Sequence, residues 1–243
     1  MIEINRLYKS FGDNNVLRGV DLNIETGETI VIIGRSGCGK SVLIKHIVGL
    51  LSPDSGTVKV EGQLVNGLGS REMYDLRLKF GFLFQAAALF DSMTVEENVS
   101  LALVEGINRL SSSEIKKSVA EKLEMVGLPG TQKLKPAELS GGMKKRVGLA
   151  RALITNPDYM LYDEPTTGLD PIMADSIDNL IKELTDQLNV TSIVVTHDMY
   201  SVKNVADKVA MMNEGIIYFT GSMEELISSD DKIIQSFIKR TEV

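Results

Sequence analysis

The sequence predicts an α/β fold: a mainly parallel sheet covered by helices, entered through an antiparallel β piece and interrupted by a helical insertion. Three observations carry this reading. Thr29 to Ile33 is an almost continuous β-branched run, the pattern of a strand buried on both faces. After Ser140, short apolar runs alternate with helix-period segments, which implies parallel strands joined by helices. Between Ala86 and about Glu138 the strand signals vanish and helical periodicity replaces them.

Each element follows in order. Ile2 and Ile4, then Val20, Leu22 and Ile24, alternate with polar residues and predict two strands of a half-buried antiparallel sheet. Thr26-Gly27-Glu28 is a turn into the strand Thr29 to Ile33, and a helix is expected over 42–51. Pro53-Asp54-Ser55-Gly56 turns into a strand over 57–61, and Phe80 to Phe84 is short and apolar enough for another. In the insertion, Val95 to Val99 and Glu114 to Val126 have helical spacing, and Ser111-Ser112-Ser113-Glu114 reads as a cap. The expected order then runs helix 141–155, strand 159–162, helix 172–188, strand 192–196, helix 199–206, strands 209–213 and 216–220, and C-terminal helices, with Gly215 in a hairpin turn. The expected organisation is one domain. Its core is discontinuous, 1–85 with 139–221, around a helical piece 86–138, with a tail 222–243.

Composition narrows the function classes. At 243 residues and 43% hydrophobic content the chain can bury a full core. A formal net charge of −7 argues against a broad nucleic-acid surface. One cysteine allows no internal disulfide and suggests a reducing compartment. No apolar run reaches the ~18 residues of a membrane span. The N-terminus alternates like a strand and lacks the apolar core of a signal peptide. No repeat, low-complexity stretch or linker divides the chain.

Two stretches look built for phosphate. Gly34-Arg35-Ser36-Gly37-Cys38-Gly39-Lys40-Ser41 fits the P-loop pattern at every fixed position. Gly34, Gly37 and Gly39 let the backbone approach phosphate oxygens, Lys40 supplies a charge, and the Ser41 hydroxyl can ligate Mg²⁺. Ser36 and Cys38 fill variable positions of the same cradle. The second stretch, Ser140-Gly141-Gly142, opens a helix whose first N–H groups and dipole favour an anion. Asp163 and Glu164 close an apolar strand at its C-terminal end, where open α/β sheets place ligands. His197 follows another strand at the same kind of position. One nucleotide does not need two cradles from one chain, whereas two chains facing each other would need one from each. His46 reads as a packing or surface residue. At this net charge, Lys144-Lys145-Arg146 reads as a solvated helix face, not a nucleic-acid patch.

These motifs, with Pro165-Thr166-Thr167-Gly168-Leu169-Asp170, resemble the ABC-type ATPases from end to end. The resemblance implies a P-loop NTPase core with ATP and Mg²⁺ as ligands. Asp163 would hold Mg²⁺ with Ser41 and Gln85, and Glu164 would be the general base. Lys40, Gln85 and His197 would complete the catalytic set, His197 by sensing the γ-phosphate. Phe11 matches the aromatic that stacks on adenine, with Tyr8 as a nearby competitor. Two copies would close head to tail, with Ser140, Gly141, Gly142 and Asp170 serving the nucleotide-binding interface. Met143 in place of the usual glutamine, Gln85-Ala86-Ala87-Ala88-Leu89-Phe90-Asp91, Leu169-Asp170-Pro171-Ile172 and the tail Ile233-Ile234-Gln235-Ser236-Phe237 look like the Mla-type lipid transporters. That likeness implies an MlaE-like integral-membrane permease, an MCE-domain protein and a STAS-like subunit as partners, and no nucleic acid. It places a homodimer on the cytoplasmic face of a bacterial inner membrane. Ala86 to Phe90 reads either as part of the permease contact or as a buried helix start. An ATPase of an amino-acid or other small-solute importer and a soluble, non-transport ABC ATPase are the alternatives.

Overall fold

A computed structural model describes residues 1–106 and 110–241. Residues 107–109 of the expected insertion and 242–243 of the expected tail lie outside the described residues. The chain forms two compact units, 1–77 with 190–243, and 78–189.

In the first unit, β1 (Ile2–Phe11) lies between β2 (Asn14–Ile24) and β4 (Ser55–Val60), antiparallel to both. A two-residue strand β5 (Gln63–Leu64) borders β4. Ile2 and Ile4 pair with Ile24 and Leu22, and all four are buried, so the expected alternation faces a core. The second group of strands is parallel where buried. β3 (Thr29–Ile33) runs between β8 (Thr191–Thr196) and β9 (Lys208–Asn213), and β10 (Ile216–Gly221) returns antiparallel to β9. Every residue of β3 and β8 is buried, as a two-sided sheet requires. The two groups meet where the Arg18 N–H donates to the Gly215 carbonyl at 2.8 Å.

Helix α1 (Lys40–Ile47) packs on β2 and β4 and stops four residues before the expected end. The cause is local: Gly49 turns left-handed with φ of 63°, and the Leu50 N–H donates back to the Lys45 carbonyl at 2.8 Å, the glycine stop of a helix. Just beyond it, Arg77 of α2 (Ser70–Leu78), a helix that the sequence reading passes over, donates from Nε to the Val48 carbonyl at 3.1 Å and from Nη2 to the Gly49 carbonyl at 2.9 Å. His46 proves to be a packing residue, buried with Nδ1 2.7 Å from the Val42 carbonyl. Burial holds its pKa below the ordinary histidine value. Helix α7 (Met199–Val205) covers β3 and β8. Helices α8 (Met223–Ser228) and α9 (Lys232–Thr241) close the unit, α8 packing on β9 and β10.

The second unit has a parallel pair, β6 (Phe80–Leu83) and β7 (Tyr159–Asp163), with α3 (Val95–Val104), α4 (Ser112–Met125), α5 (Gly141–Leu153) and α6 (Pro171–Leu188). Helix α5 is its centre and packs on β6, α3, α4 and α6. The expected cap at Ser111 is a full capping box with Glu114, and Thr94 with Glu97 forms another at α3. Among the described residues, no helix is long and apolar enough to cross a membrane.

Asn98 on α3 is fully buried and organises the loop before its helix. Its Oδ1 accepts from the Phe90 N–H at 2.8 Å, and its Nδ2 is shared among the carbonyls of Phe90, Met93 and Thr94 at 3.0–3.3 Å. Asn98→Ala removes the amide partner of the Phe90 N–H and the Met93 carbonyl, while the Phe90 and Thr94 carbonyls keep main-chain donors, and should lower the unfolding free energy by about 1–3 kcal/mol. Urea unfolding checks this; a change under about 0.5 kcal/mol would show that water replaces the amide.

Candidate active site

In each unit, residues singled out from sequence leave the C-terminal ends of paired parallel strands. In the first, Ile33 of β3 is in register with Thr196 of β8, so Gly34 and His197 begin adjacent loops on one edge. The loop Gly34 to Gly39 is pressed against its surroundings. A side chain at Gly34 would place Cβ 2.5 Å from the Met212 carbonyl oxygen. At Gly39, where φ is 108°, Cβ would lie 2.9 Å from Leu17 Cδ2. By contrast, nothing lies within 4 Å of a Cβ at Gly37. The loop is therefore tight at its base and open at its apex, a shape that admits phosphate oxygens against main-chain N–H groups.

Lys40 is only 5% exposed, and its ammonium donates to the carbonyls of Gly34 at 2.8 Å and Arg35 at 3.4 Å. The charge is thus held across the loop by main-chain oxygens, from which an anion can draw it. Ser36 is exposed, and Cys38 and Ser41 are half-buried. His197 is exposed, and the next residue caps α7, the Asp198 carboxylate accepting from the Tyr200 N–H at 2.8 Å. Phe11 ends β1 at 47% exposure, with the Lys9 ammonium 5.5 Å from its ring centre. The Tyr8 ring end covers Gly19 of β2, its hydroxyl so close that a Cβ there would be 2.7 Å away.

In the second unit, Leu83 of β6 is in register with Tyr162 of β7. Asp163 ends β7 and Glu164 follows it, while Gln85 lies two residues past the end of β6. Asp163 is 7% exposed, Glu164 is half-buried and Gln85 is exposed. Glu164 has φ of 50°, in the left-handed region, and its Oε2 accepts from the Thr167 hydroxyl at 3.1 Å. Ser140 caps α5 by accepting from the Met143 N–H at 3.3 Å. Asp170 does the same for α6, accepting from the Met173 N–H at 3.0 Å.

The lysine–arginine run on α5 is not a solvated face. Lys145 is 5% exposed, and its ammonium donates to the main-chain carbonyls of Gln85 at 2.5 Å and Glu164 at 3.3 Å. Burial lowers its pKa to about 8, against the pull of Glu164 and Asp163. Arg146 donates to the Val126 carbonyl at 2.6 Å and the Ser176 hydroxyl at 2.8 Å. Because α5 is packed on several sides, its cations must take their hydrogens to internal acceptors. Nor does a helix begin within 86–90. Ala87 and Ala88 adopt left-handed conformations, with φ of 58° and 47°, in a turn. The Arg151 guanidinium straddles that turn, reaching the carbonyls of Ala88 at 2.6 Å and Ala87 at 2.5 Å. Burial lowers the Arg151 pKa as well. Sequence reasoning missed Lys145 and Arg151. The available signal was their spacing with Gly148 along one side of α5, where Gly142 and Leu149 also fall at helical spacing from Lys145.

A family model described as "ABC transporter" matches residues 17–167, which span the P-loop, the Ser140 segment and the Asp163-Glu164 pair. The chain belongs to the ABC transporter family. As an ABC ATPase domain it is similar to the "Intermembrane phospholipid transport system ATP-binding protein MlaF" of Haemophilus influenzae, 39% identical over 98% of this chain and 90% of that one. It is also similar to the "Probable ribonucleotide transport ATP-binding protein mkl" of Mycobacterium tuberculosis, 40% identical over 98% of this chain. This chain spans 66% of the length of that relative. Among solved structures, the dimeric ATP-binding cassette MJ0796, in a post-hydrolysis state bound to ADP and Pi, superposes with a TM-score of 0.84. It is 33% identical, over 92% of this chain and 99% of that one. These likenesses bear out the α/β fold class with its antiparallel β piece.

Arg151→Met leaves two strained carbonyls without their donor. Hydrogen bonds to charged groups contribute about 1.5–3 kcal/mol, and the ABC ATPase should lose about that much stability. Arg151→Lys should recover only part of it, since a point charge cannot span both oxygens as the fork does. Equal urea midpoints for all three proteins would remove the clamp from the account.

Proposed function

We propose that this chain is the ATP-hydrolysing subunit of an ABC transporter that moves phospholipid or a related lipid. The hydrolytic half of the reading is carried by one observation, the P-loop with its open apex and its buried Lys40 bonded to main-chain oxygens of the same loop. Lys40 takes the β- and γ-phosphates, the loop N–H groups of Gly34 to Ser41 cradle them, and Phe11 stacks on the adenine. Glu164 accepts a proton from the attacking water, Gln85 orients that water, and His197 contacts the γ-phosphate.

Mg²⁺ suits the residues assigned to it. Ser41, Asp163 and Gln85 offer a hydroxyl, a carboxylate and an amide oxygen, the hard donors this ion prefers. Among the described residues no group of three or more His, Cys, Asp or Glu side chains is gathered to hold a metal. When bound, the ion neutralises charge on the β- and γ-phosphates.

Two copies dimerise head to tail, Ser140, Gly141 and Gly142 of one serving the nucleotide of the other, with Asp170 at the same interface. The dimer works on the cytoplasmic face of a bacterial inner membrane through an MlaE-like permease, with an MCE-domain protein and a STAS-like subunit in the complex. Lipid as cargo is supported by Met143, the 85–91 and 233–237 stretches, and the MlaF likeness. A second reading, transport of a small polar solute, is favoured by the similar identity to the mycobacterial relative with a ribonucleotide-transport name.

Lys40→Ala should abolish hydrolysis and sharply weaken nucleotide binding. Glu164→Gln should keep MgATP binding and lose about 10²–10⁴-fold in turnover, accumulating as a closed dimer in light scattering. Near-normal turnover in either variant refutes the assigned role. For the cargo, the tagged chain is purified in mild detergent and its companions identified. A permease with an MCE-domain protein and bound lipid is the expected result. A permease with a solute-binding protein and no lipid would favour the second reading.

A further inference from the structure

We infer that Lys145 is a positioning residue for hydrolysis, a latch that ties the main chain at Gln85 to the main chain at Glu164; the inference rests on the ATPase roles proposed above. Its ammonium donates to the carbonyl of Gln85 at 2.5 Å and to that of Glu164 at 3.3 Å. These two residues carry the water-orienting amide and the base. Neither strand end holds its own loop in a relaxed conformation. Glu164 has φ of 50°, and Ala87 and Ala88, just beyond Gln85, have φ of 58° and 47°. Such residues persist only when the surroundings hold them.

The chemistry of the contact argues for function over packing. An ammonium taken out of water is costly, and two neutral carbonyls, with the Glu164 and Asp163 carboxylates attracting it without a direct ion pair, repay that cost poorly compared with a full ion pair. A methionine would fill the same space on α5 without desolvating a charge. What the lysine supplies and an apolar residue cannot is a fixed distance between two backbones. The latch also belongs to the helix that starts at Ser140-Gly141-Gly142. Lys145 is little more than a turn from that end, and Arg151 farther along grips Ala87 and Ala88. Between them, Gly148 leaves room for the turn to approach, since a Cβ there would lie 2.8 Å from Leu83 Cδ1 and 3.2 Å from Ala87 Cβ. A shift of α5 is therefore delivered to the Gln85 and Glu164 main chains together. The phosphate-facing end of the helix and the two catalytic side chains move as one body.

The test compares wild type, Lys145→Met and Lys145→Arg. Each is purified by affinity tag with the membrane proteins it carries, and kcat, KM and fluorescent ATP-analogue binding are measured alongside a thermal melt. Displacement of positioned groups by a fraction of an ångström to an ångström costs up to about 10²-fold in rate. Lys145→Met should lose about 10- to 100-fold in kcat, with KM and analogue affinity within about threefold of wild type. Lys145→Arg, which keeps the donors, should recover most of the rate. Wild-type kcat in a folded Lys145→Met protein overturns the latch, as does an equal loss of affinity and rate. If Lys145→Met does not melt cooperatively, Lys145→Gln decides: a reduced kcat at unchanged affinity supports the latch, and an unchanged kcat overturns it. A wild-type complex that hydrolyses no ATP would refute the ATPase reading itself, a failure distinct from that of the latch.

Discussion

Parallel pairing is the constraint on which the rest depends. Two parallel strands end on the same side, so the loops that follow them begin as neighbours. In one unit, Ile33 beside Thr196 fixes where the P-loop and His197 start. In the other, Leu83 beside Tyr162 fixes where Gln85 and the Asp163-Glu164 pair start. These strands are buried on both faces, so a one-residue slip would send each side chain into the packing of the opposite face; close packing on both sides holds the register, and the register holds the chemistry.

The strand ends alone would leave their loops free to move. The chain restrains them with backbone contacts. At the P-loop, Gly34 and Gly39 let the main chain lie against Met212 and Leu17 where a Cβ could not. After β6, a turn with two alanines in left-handed conformation is gripped by the Arg151 fork, and Lys145 bridges it to the end of β7. Buried cations bonded to neutral carbonyls are a poor source of net stability. They do impose direction and distance, which hydrolysis needs and apolar packing supplies less sharply.

The same helix therefore has two duties. Its first residues, capped by Ser140, offer main-chain N–H groups and the positive end of a dipole. Its later turns hold the loop that carries Gln85. In the head-to-tail dimer proposed above, this helix would face one nucleotide while shaping the residues that act on another.

Most of the fold was legible from periodicity. The buried run Thr29 to Ile33, the alternation of Ile2 and Ile4, the capped helix after Ser111 and the hairpin at Gly215 stand where local pattern put them, because each is decided within a few residues of chain. The phosphate loop and the acidic pair were legible because their chemistry demands particular residues at fixed spacing. Tertiary structure decided what depends on distant partners. The carbonyls of Val48 and Gly49, just past the end of α1, take their donor from Arg77, nearly thirty residues on. The segment 86–90 is a strained turn and not a helix start because Arg151 holds it. Lys145 looked like one charge in a solvated run, since sequence shows the charge but not the side of α5 it leaves. Only the packing around that helix puts the ammonium inside, against two carbonyls sixty and nineteen residues away in the chain.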